Sequence, residues 1–450
     1  MLQRIFLTVA LCVVLGASPV AWADPFSLEQ AQRYALAHNP DLLAARARSE
    51  AAAARAQAAS GARLPSLDVS SSARASNNPL DAFADKLNTR SVTTSDFDPA
   101  NLNHPGTSNQ YATQLALRLP VYTGGRLSAD IASAGDMEKN SRLQYERLRE
   151  VVAFQALQSY LNVLAAREGL TIADDAVAAA REHANTTARL SREGRIVVSD
   201  KLTAEVNLSA VQSQREQAAT RLANARNQLK LVMGLPLDND VTVSTADFGA
   251  ALSDASNLAD GESRALAGRK DLAALRAMSE ATKARIQAAR AAHKPKVDFI
   301  ASSNWYDDKP GFDNHSSSIM GVVRLDLYAG GRHQDEISAA LAEDSEMQWR
   351  VQALEQSIRN DVRETRNRLR EAQARHATAA DNVGRARENV RLVKQRYGQG
   401  RTILIDLLQA ERAYTDARNE ELVSRLNLEV GQAAVQLAEG TLKLPAEITP

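Results

Sequence analysis

The chain has 450 residues, of which 54 are basic and 54 are acidic. This balance argues against a nucleic-acid-binding protein, which needs a net basic face for phosphate contacts. Only 4% of the residues are aromatic and 24% are charged, a composition that favours exposed helices over a compact enzyme core. A polytopic helical membrane protein is excluded, because no apolar run reaches the roughly 18 residues that a membrane helix needs.

Residues 1–23 have the pattern of a secretory signal peptide. A basic residue, Arg4, precedes a short apolar stretch at 5–16, and the sequence Ala-Trp-Ala at 21–23 places small residues before the expected cleavage site. The single cysteine, Cys12, lies within this segment. The mature chain is therefore expected to have no disulfide, no catalytic thiol and no cysteine-ligated metal.

The rest of the chain consists of one unit used twice. Asp41 and Arg46 recur in the second half as Asp271 and Arg276, and the sequence VYTGGR at 121–126 recurs as LYAGGR at 327–332. Such self-similarity indicates a duplicated fold. The spacing between equivalent positions falls along the chain, because the first copy contains extra residues within 77–110. This segment is rich in Asn, Asp, Ser, Thr and Pro, and we expect it to be a long loop.

Each copy is predicted to contain, in order, a helix, two strands, a long helix, a turn and a second helix. The first copy, 24–234, has its strand pair at about 65–123, its long helix at 126–192 and its second helix at 199–233. The second copy, 262–440, has the same elements at about 295–328, 332–398 and 403–439. Residues 235–261 are predicted to form an equatorial linker, and 441–450 a C-terminal tail.

The predicted strands have one apolar and one polar face. Leu115, Leu117 and Leu119 alternate with more polar neighbours, and residues 319–327 repeat the pattern. Four such strands are too few to close a membrane barrel, and an open edge in lipid leaves backbone groups unpaired. Either the sheet lies outside a membrane, or two or more chains share one barrel. The signal peptide and the long helices favour the shared barrel.

The two predicted long helices, 126–192 and 332–398, are equal in length and contain no proline. At about 1.5 Å per residue, each forms a rod of about 100 Å. From Val362 onward, apolar or small residues recur at spacings of three and four, which predicts a left-handed coiled coil. The apolar seam is narrow and flanked by charge, a pattern typical of a wall with water on both sides. An extended coiled coil without a lumen is the alternative that periodicity leaves open.

Four segments together resemble a known family. They are SLEQAQRYALAHNPDL at 27–42, LPVYTGGR at 119–126, LDLYAGGR at 325–332 and RYGQGRTILIDLLQAE at 396–411. The chain resembles the TolC-like outer-membrane efflux proteins over nearly its whole mature length. The resemblance implies a mainly α fold with a small β part. In it, long antiparallel coiled-coil helices form a trimeric α-barrel in the periplasm, and four strands per chain form a shared 12-stranded barrel in the outer membrane.

The resemblance also implies a function and partners. The chain would be a passive exit duct of a tripartite efflux or type I secretion system, a homotrimer in contact with outer-membrane lipid. It would dock a periplasmic adaptor (a membrane fusion protein) and an inner-membrane transporter. The alternative is a periplasmic coiled-coil adaptor or scaffold without a membrane barrel.

The two predicted lower turns are candidate docking sites for the adaptor. Each glycine there is expected to end a helix in the left-handed conformation, with apolar residues capping the hairpin. Under the resemblance, the same exposed apolar residues would offer an adaptor helix a groove. The residues concerned are Gly194, Arg195, Ile196, Val197, Gly400, Thr402 and Ile403.

The resemblance further implies a gate at the periplasmic entrance, formed by Tyr397, Asp406, Ser199, Asp200 and Arg401. Arg401 lies one position early, and Thr402 occupies the place of the family's arginine. Gln409 replaces a second ring aspartate, so an aspartate ring would contain only Asp406. The alternative is that Asp200 and Asp406 are simply first-turn carboxylates that the helix dipole favours.

The remaining patterns point to structure rather than to chemistry. The glycine pairs Gly124-Gly125 and Gly330-Gly331 are expected to turn a strand into a helix at the two joints. The seven histidines have no ligand spacing, and the sequence contains no zinc-protease, serine-hydrolase or P-loop motif. We therefore expect no enzymatic activity, no metal, no cofactor and no nucleic-acid partner.

Overall fold

The computed structural model describes residues 25–244 and 258–445. The predicted signal peptide, the middle of the predicted linker at 245–257 and the end of the predicted tail at 446–450 lie outside the described residues. Within the described ranges, no helix is long and apolar enough to cross a membrane.

The first copy of the repeat contains six helices and two strands among its described residues. Residues Thr94–Phe97 form a short 3₁₀ turn. The elements are α1 (Leu28–His38), α2 (Pro40–Gly61), β1 (Ser66–Ser76), α3 (Pro79–Asn88), α4 (Pro99–Asn103), β2 (Ser108–Tyr122), α5 (Arg126–Arg192) and α6 (Val198–Met233).

The second copy has the same order of elements without an insert between its strands. Residues Ala291–His293 form a 3₁₀ turn before the first of these strands. The elements are α7 (Leu258–Gly268), α8 (Lys270–Arg290), β3 (Lys296–Asp307), β4 (His315–Arg324), α9 (Arg332–Gly398) and α10 (Leu404–Glu439). The prediction of a mainly helical, duplicated chain with four strands is therefore confirmed.

The chain divides into two compact units. One unit comprises the described residues up to 45 together with 145–270 and 355–445, and the other comprises 46–144 and 271–354. The first unit is helical, and the second contains the whole sheet.

The sheet has the strand order β1-β2-β3-β4, and every neighbouring pair is antiparallel. Its registers place Leu67, Leu117, Ala301 and Ile319 in one row across all four strands. Directly paired side chains lie on the same face of a sheet, so this row is apolar from edge to edge. Leu67 and Ile319 are 63% and 75% exposed. This apolar row is thus uncovered at both edges of the sheet in a single chain.

The opposite face of the sheet is polar. The adjacent row across the strands consists of Asp68, Ala116, Ser302 and Ser318, and the hydroxyls of the two serines lie 2.9 Å apart. The predicted alternation of apolar and polar faces is therefore present in the folded sheet.

We expected the insert between β1 and β2 to be a long loop. It instead contains two helices, α3 and α4. Asn78 caps the first turn of α3 through its side chain, with Pro79 at the first helical position. Arg74 pairs with Asp85 at 2.5 Å, and Lys86 donates a hydrogen bond to Asp96. That bond, with further hydrogen bonds from Thr93, lowers the pKa of Asp96 from its usual 3.8 to about 2. These ion pairs hold the insert together, and Arg90 donates a hydrogen bond to the carbonyl oxygen of His315 at the start of β4.

The core of the helical unit surrounds Tyr160 on α5, which is completely buried. Its hydroxyl lies 3.0 Å from the carbonyl oxygens of both Phe26 and Ser244. Phe26 and Val243 form a parallel bridge beside it, and residues of α1, α5, α6 and α10 complete the cluster. These contacts hold the start of the first copy against the segment that follows α6.

Candidate functional site

The two lower hairpins, α5/α6 and α9/α10, have the same turn geometry. Gly194 and Gly400 have φ values of +70° and +71°, a conformation that favours glycine. In each turn the amide of the following arginine donates to a carbonyl five residues earlier, at 2.9 Å. These are Schellman-type helix ends, and the duplication thus extends to individual backbone hydrogen bonds.

The residues that we predicted as adaptor-docking turns lie mostly at the surface. Arg195 and Gly400 are exposed, Ile196 and Thr402 are half-buried, and Val197 and Ile403 are 62% and 64% exposed. Valine and isoleucine side chains left in water at a turn form an apolar edge that a partner helix can cover. The assignment of these turns to an adaptor stays a prediction.

Part of the predicted gate comes together within one chain. Tyr397 on α9 packs against the cluster formed by Ala184, Ala204, Leu404 and Leu408. Burial raises the pKa of the Tyr397 hydroxyl, and the nearby negative charge of Asp200 raises it further. The structure therefore brings the charge of Asp200 on α6 within electrostatic range of the tyrosine of α9.

The other predicted gate residues do not join that pair. Thr402 donates a hydrogen bond to the Asp406 carboxylate in its own hairpin. Asp406 lies in the first turn of α10, which agrees with the alternative of a carboxylate favoured by the helix dipole. Ser199 is exposed, and its carbonyl accepts from Thr203 at 2.9 Å. Arg401 is exposed and forms no ion pair within the described part of the chain.

The sequence did not reveal two further bonds near the lower turns. His183 of α5 lies 2.8 Å from Glu411 of α10 and is only 6% exposed. Lys394 of α9 lies 3.5 Å from Glu182 of α5. Both bonds join the two hairpins of one chain, and their partners are 228 and 212 residues apart in the sequence. No local pattern could have found them, because their pairing depends on how separate helices align.

The predicted strand-to-helix joints also have defined geometry. Gly124 has a φ of +67°, and a Cβ there would lie 2.7 Å from the Cβ of Lys294 and 2.8 Å from the carbonyl oxygen of Ala291. Gly125, Gly330 and Gly331 likewise have positive φ values. A side chain at Gly124 would force the joint away from the start of β3.

A model of the family described as outer membrane efflux protein matches residues 32–235 and 262–441. The chain belongs to the outer membrane efflux protein family. The pyoverdine export outer membrane protein OpmQ of Pseudomonas putida is 25% identical over 93% of this chain and 86% of its own length. The proteases secretion protein PrtF of Dickeya chrysanthemi is 24% identical over 58% of this chain, and the chain spans only 58% of the length of PrtF.

Solved structures show the same fold. The Campylobacter jejuni CmeC outer membrane channel aligns with a TM-score of 0.81 at 19% identity, covering 94% of this chain and 87% of that one. Family and fold together confirm the outer-membrane location and the interpretation as an outer-membrane exit duct. The alternative of a scaffold without a membrane barrel is not favoured. The family consists of channel proteins rather than enzymes.

Proposed function

We propose that three copies of this chain form one passive duct whose twelve strands close a single barrel in the outer membrane. The observation that carries this proposal is the sheet itself. It has an apolar row that runs across all four strands, a polar row on the opposite face, and two edge strands, β1 and β4, each of which pairs on one side only among the described residues. Pairing β1 of one copy with β4 of the next satisfies both edges and turns the apolar face towards lipid.

The helices of the three copies would line the periplasmic part of the duct. Each chain supplies two long helices and, in each copy of the repeat, the shorter helices that flank them, which agrees with a tunnel wall of twelve helices. The chain itself is proposed to have no enzymatic activity and no resident metal or cofactor. The duct would provide a passive path for cargo, and the transporter would supply the energy for export.

The duct is proposed to work with a periplasmic adaptor and an inner-membrane transporter. The printed names of the relatives refer to pyoverdine export for OpmQ and to secretion of proteases for PrtF. An export role in either an efflux or a type I secretion system is therefore the function we propose here. The adaptor would meet the exposed turn residues around Gly194 and Gly400, and Tyr397 with Asp200 would belong to the entrance gate.

Reconstitution into a planar lipid bilayer tests this function without knowledge of the cargo. Purified protein is expected to give discrete current steps of uniform size, because a closed barrel with a polar interior conducts ions. A matched control is the Gly124→Leu variant. It is expected to give no current steps, because a leucine would distort the joint between β2 and α5. A folded parent protein that inserts into vesicles yet passes no current would contradict the duct.

A further inference from the structure

A buried histidine lies at the joint between the sheet and the second long helix. His333 is the second residue of α9 and is only 7% exposed. Neither of its ring nitrogens has a hydrogen-bond partner within the described part of the chain. A buried polar group without a partner costs free energy. Packing alone does not account for a histidine in this position.

Each ring nitrogen of His333 faces a carboxylate. Its Nε2 atom lies 3.8 Å from a carboxylate oxygen of Asp326, in the segment between β4 and α9. Its Nδ1 atom lies 3.8 Å from a carboxylate oxygen of Glu336, one turn along α9. Both distances exceed the roughly 2.7–3.2 Å of a hydrogen bond. A neutral imidazole has one N–H donor and one lone pair, so one nitrogen presents its lone pair to a negative charge, whereas a protonated imidazole has a donor for each carboxylate.

The equivalent joint in the first copy of the repeat is built without a histidine. Leu127 occupies the place of His333 after the same Gly-Gly-Arg sequence, and it is half-buried. Pro120 occupies the place of Asp326, so this joint lacks both the imidazole and one of the two carboxylates. An apolar residue thus satisfies the packing of a strand-to-helix joint. The polar cluster at the second joint is an addition to that packing.

We propose that His333 is a proton-sensitive clamp of the joint between β4 and α9. Uptake of one proton makes both ring nitrogens donors, and closing each 3.8 Å gap by about 1 Å then forms two charge-assisted hydrogen bonds. These bonds tie the segment before the glycine pair to the first turn of α9. Because imidazole changes its charge between about pH 5 and 8, mild acid tightens the joint and neutral pH relaxes it. The clamp lies within one chain and does not depend on the trimer.

The charges on α9 and on the segment before it favour a proton on His333. Arg332 lies 3.8 Å from Glu336 and partly neutralises that carboxylate. Asp326 pairs with no lysine or arginine in the described part of the chain. Asp335 adds a third carboxylate in the first turn of α9. Three carboxylates beside one guanidinium leave negative charge that an imidazolium offsets.

The 3₁₀ turn before β3 supplies the opposing charges. The ring of His293 packs edge-on against that of His333, with ring centroids 5.2 Å apart. Both His293 and the neighbouring Lys294 are exposed. The lysine is positively charged across this pH range and disfavours a second charge on His293. The first proton therefore goes to His333, which lies between two carboxylates, and the neutral ring of His293 stays beside it.

Amide hydrogen exchange of the purified protein in detergent, measured by mass spectrometry, tests this clamp. Peptides that cover 326–336 are compared at about pH 5.5 and about pH 7.5, on either side of the titration of imidazole. Labelling times are scaled to the intrinsic exchange rate at each pH. Peptides that cover 120–130, the equivalent joint without a histidine, are the internal reference. His104→Gln removes an exposed histidine of the same unit and is expected to leave the result unchanged.

The parent is expected to exchange several-fold more slowly at the lower pH across 326–336, and equally at both pH values across 120–130. His333→Leu, which introduces the residue of the other joint, is expected to abolish the difference. Asp326→Asn combined with Glu336→Gln keeps the imidazole but removes its charged partners, and it is expected to abolish the difference as well. Equal exchange of the parent at both pH values overturns the inference. A difference that persists in either variant also overturns it.

Discussion

A buried ion cluster joins three helices of the helical unit and allows a sharp prediction about stability. Glu439, at the end of α10, accepts hydrogen bonds from Arg366 of α9 at one carboxylate oxygen, and from Arg264 of α7 at the other at 2.7 Å. The side chains of Arg366 and Glu439 are each only 5% exposed. Replacing Glu439 by Gln keeps the shape and removes the charge that both guanidinium groups face.

The expected loss of stability arises because Glu439→Gln leaves the buried Arg366 without its counter-charge. Breaking a buried ion pair by removing one partner costs about 3–5 kcal/mol. In a unit of this size 1 kcal/mol shifts the melting temperature by about 2–4 °C. Glu439→Gln is therefore expected to lower the melting temperature by roughly 6–20 °C. Gly261→Ala should act in the same direction, because its Cβ would lie 2.8 Å from a Glu439 oxygen and against Arg366.

The assay is thermal unfolding of the detergent-solubilised duct, followed by circular dichroism at one fixed heating rate, because large proteins often unfold irreversibly. Glu216→Gln is the matched control. It removes a carboxylate that is 73% exposed and paired with Arg215 at 3.1 Å, a class of pair worth about 0–1 kcal/mol. If Glu439→Gln melts within about 2 °C of the control, the argument that this cluster holds the helices together is refuted.

Three further predictions concern the entrance and the insert. Tyr397→Phe combined with Asp406→Ala is expected to raise single-channel conductance, because both changes remove polar groups assigned to the gate. Gly400→Leu is expected to abolish export while the trimer survives, since a leucine is strained at a φ of +71°. The pKa of Asp96, held at about 2, means that the stability it contributes is present above pH 3.8 and is lost as the pH falls through about 2. Lys86→Met is expected to raise that pKa, so that pepsin cuts the insert faster at pH 3 than in the parent.

Each of these predictions has its own control. Unchanged conductance in the double variant would contradict the assignment of Tyr397 and Asp406 to a gate. Gly398→Leu is the control for Gly400→Leu, because Gly398 lies at the end of α9 with open space around it and no positive φ. Normal export by the Gly400 variant would exclude the turn as a docking site. Lys309→Met removes an exposed lysine elsewhere in the sheet unit, and equal cleavage of both lysine variants would refute the role given to Lys86.

Much of the fold could be predicted because its signals are local and occur twice. Alternation in the strands and the proline-free runs after each glycine pair depend on neighbouring residues only. The helix α3 escaped prediction although Asn78-Pro79 carries the same cap signal as Asn39-Pro40. The abundance of Asn, Asp, Ser and Pro around it outweighed that signal.

The candidate site was less accessible to sequence reasoning. The resemblance indicated Tyr397 and Asp200, and in the structure the charge of Asp200 acts on the Tyr397 hydroxyl. It did not indicate His183, whose partner is Glu411 on a helix 228 residues away. The unequal burial of Leu202 and Leu408 could not be seen either, since equivalent residues in two sequence copies look alike until the helices are aligned.

The most direct test of the account is the protein mass of the particle purified in detergent from isolated outer membranes, measured by light scattering. A shared barrel predicts about 140 kDa, the mass of three mature chains, because four strands per chain need two further copies to close a barrel. A particle of about 46 kDa recovered from the soluble periplasm would mean that the sheet never enters lipid, and it would contradict the shared barrel.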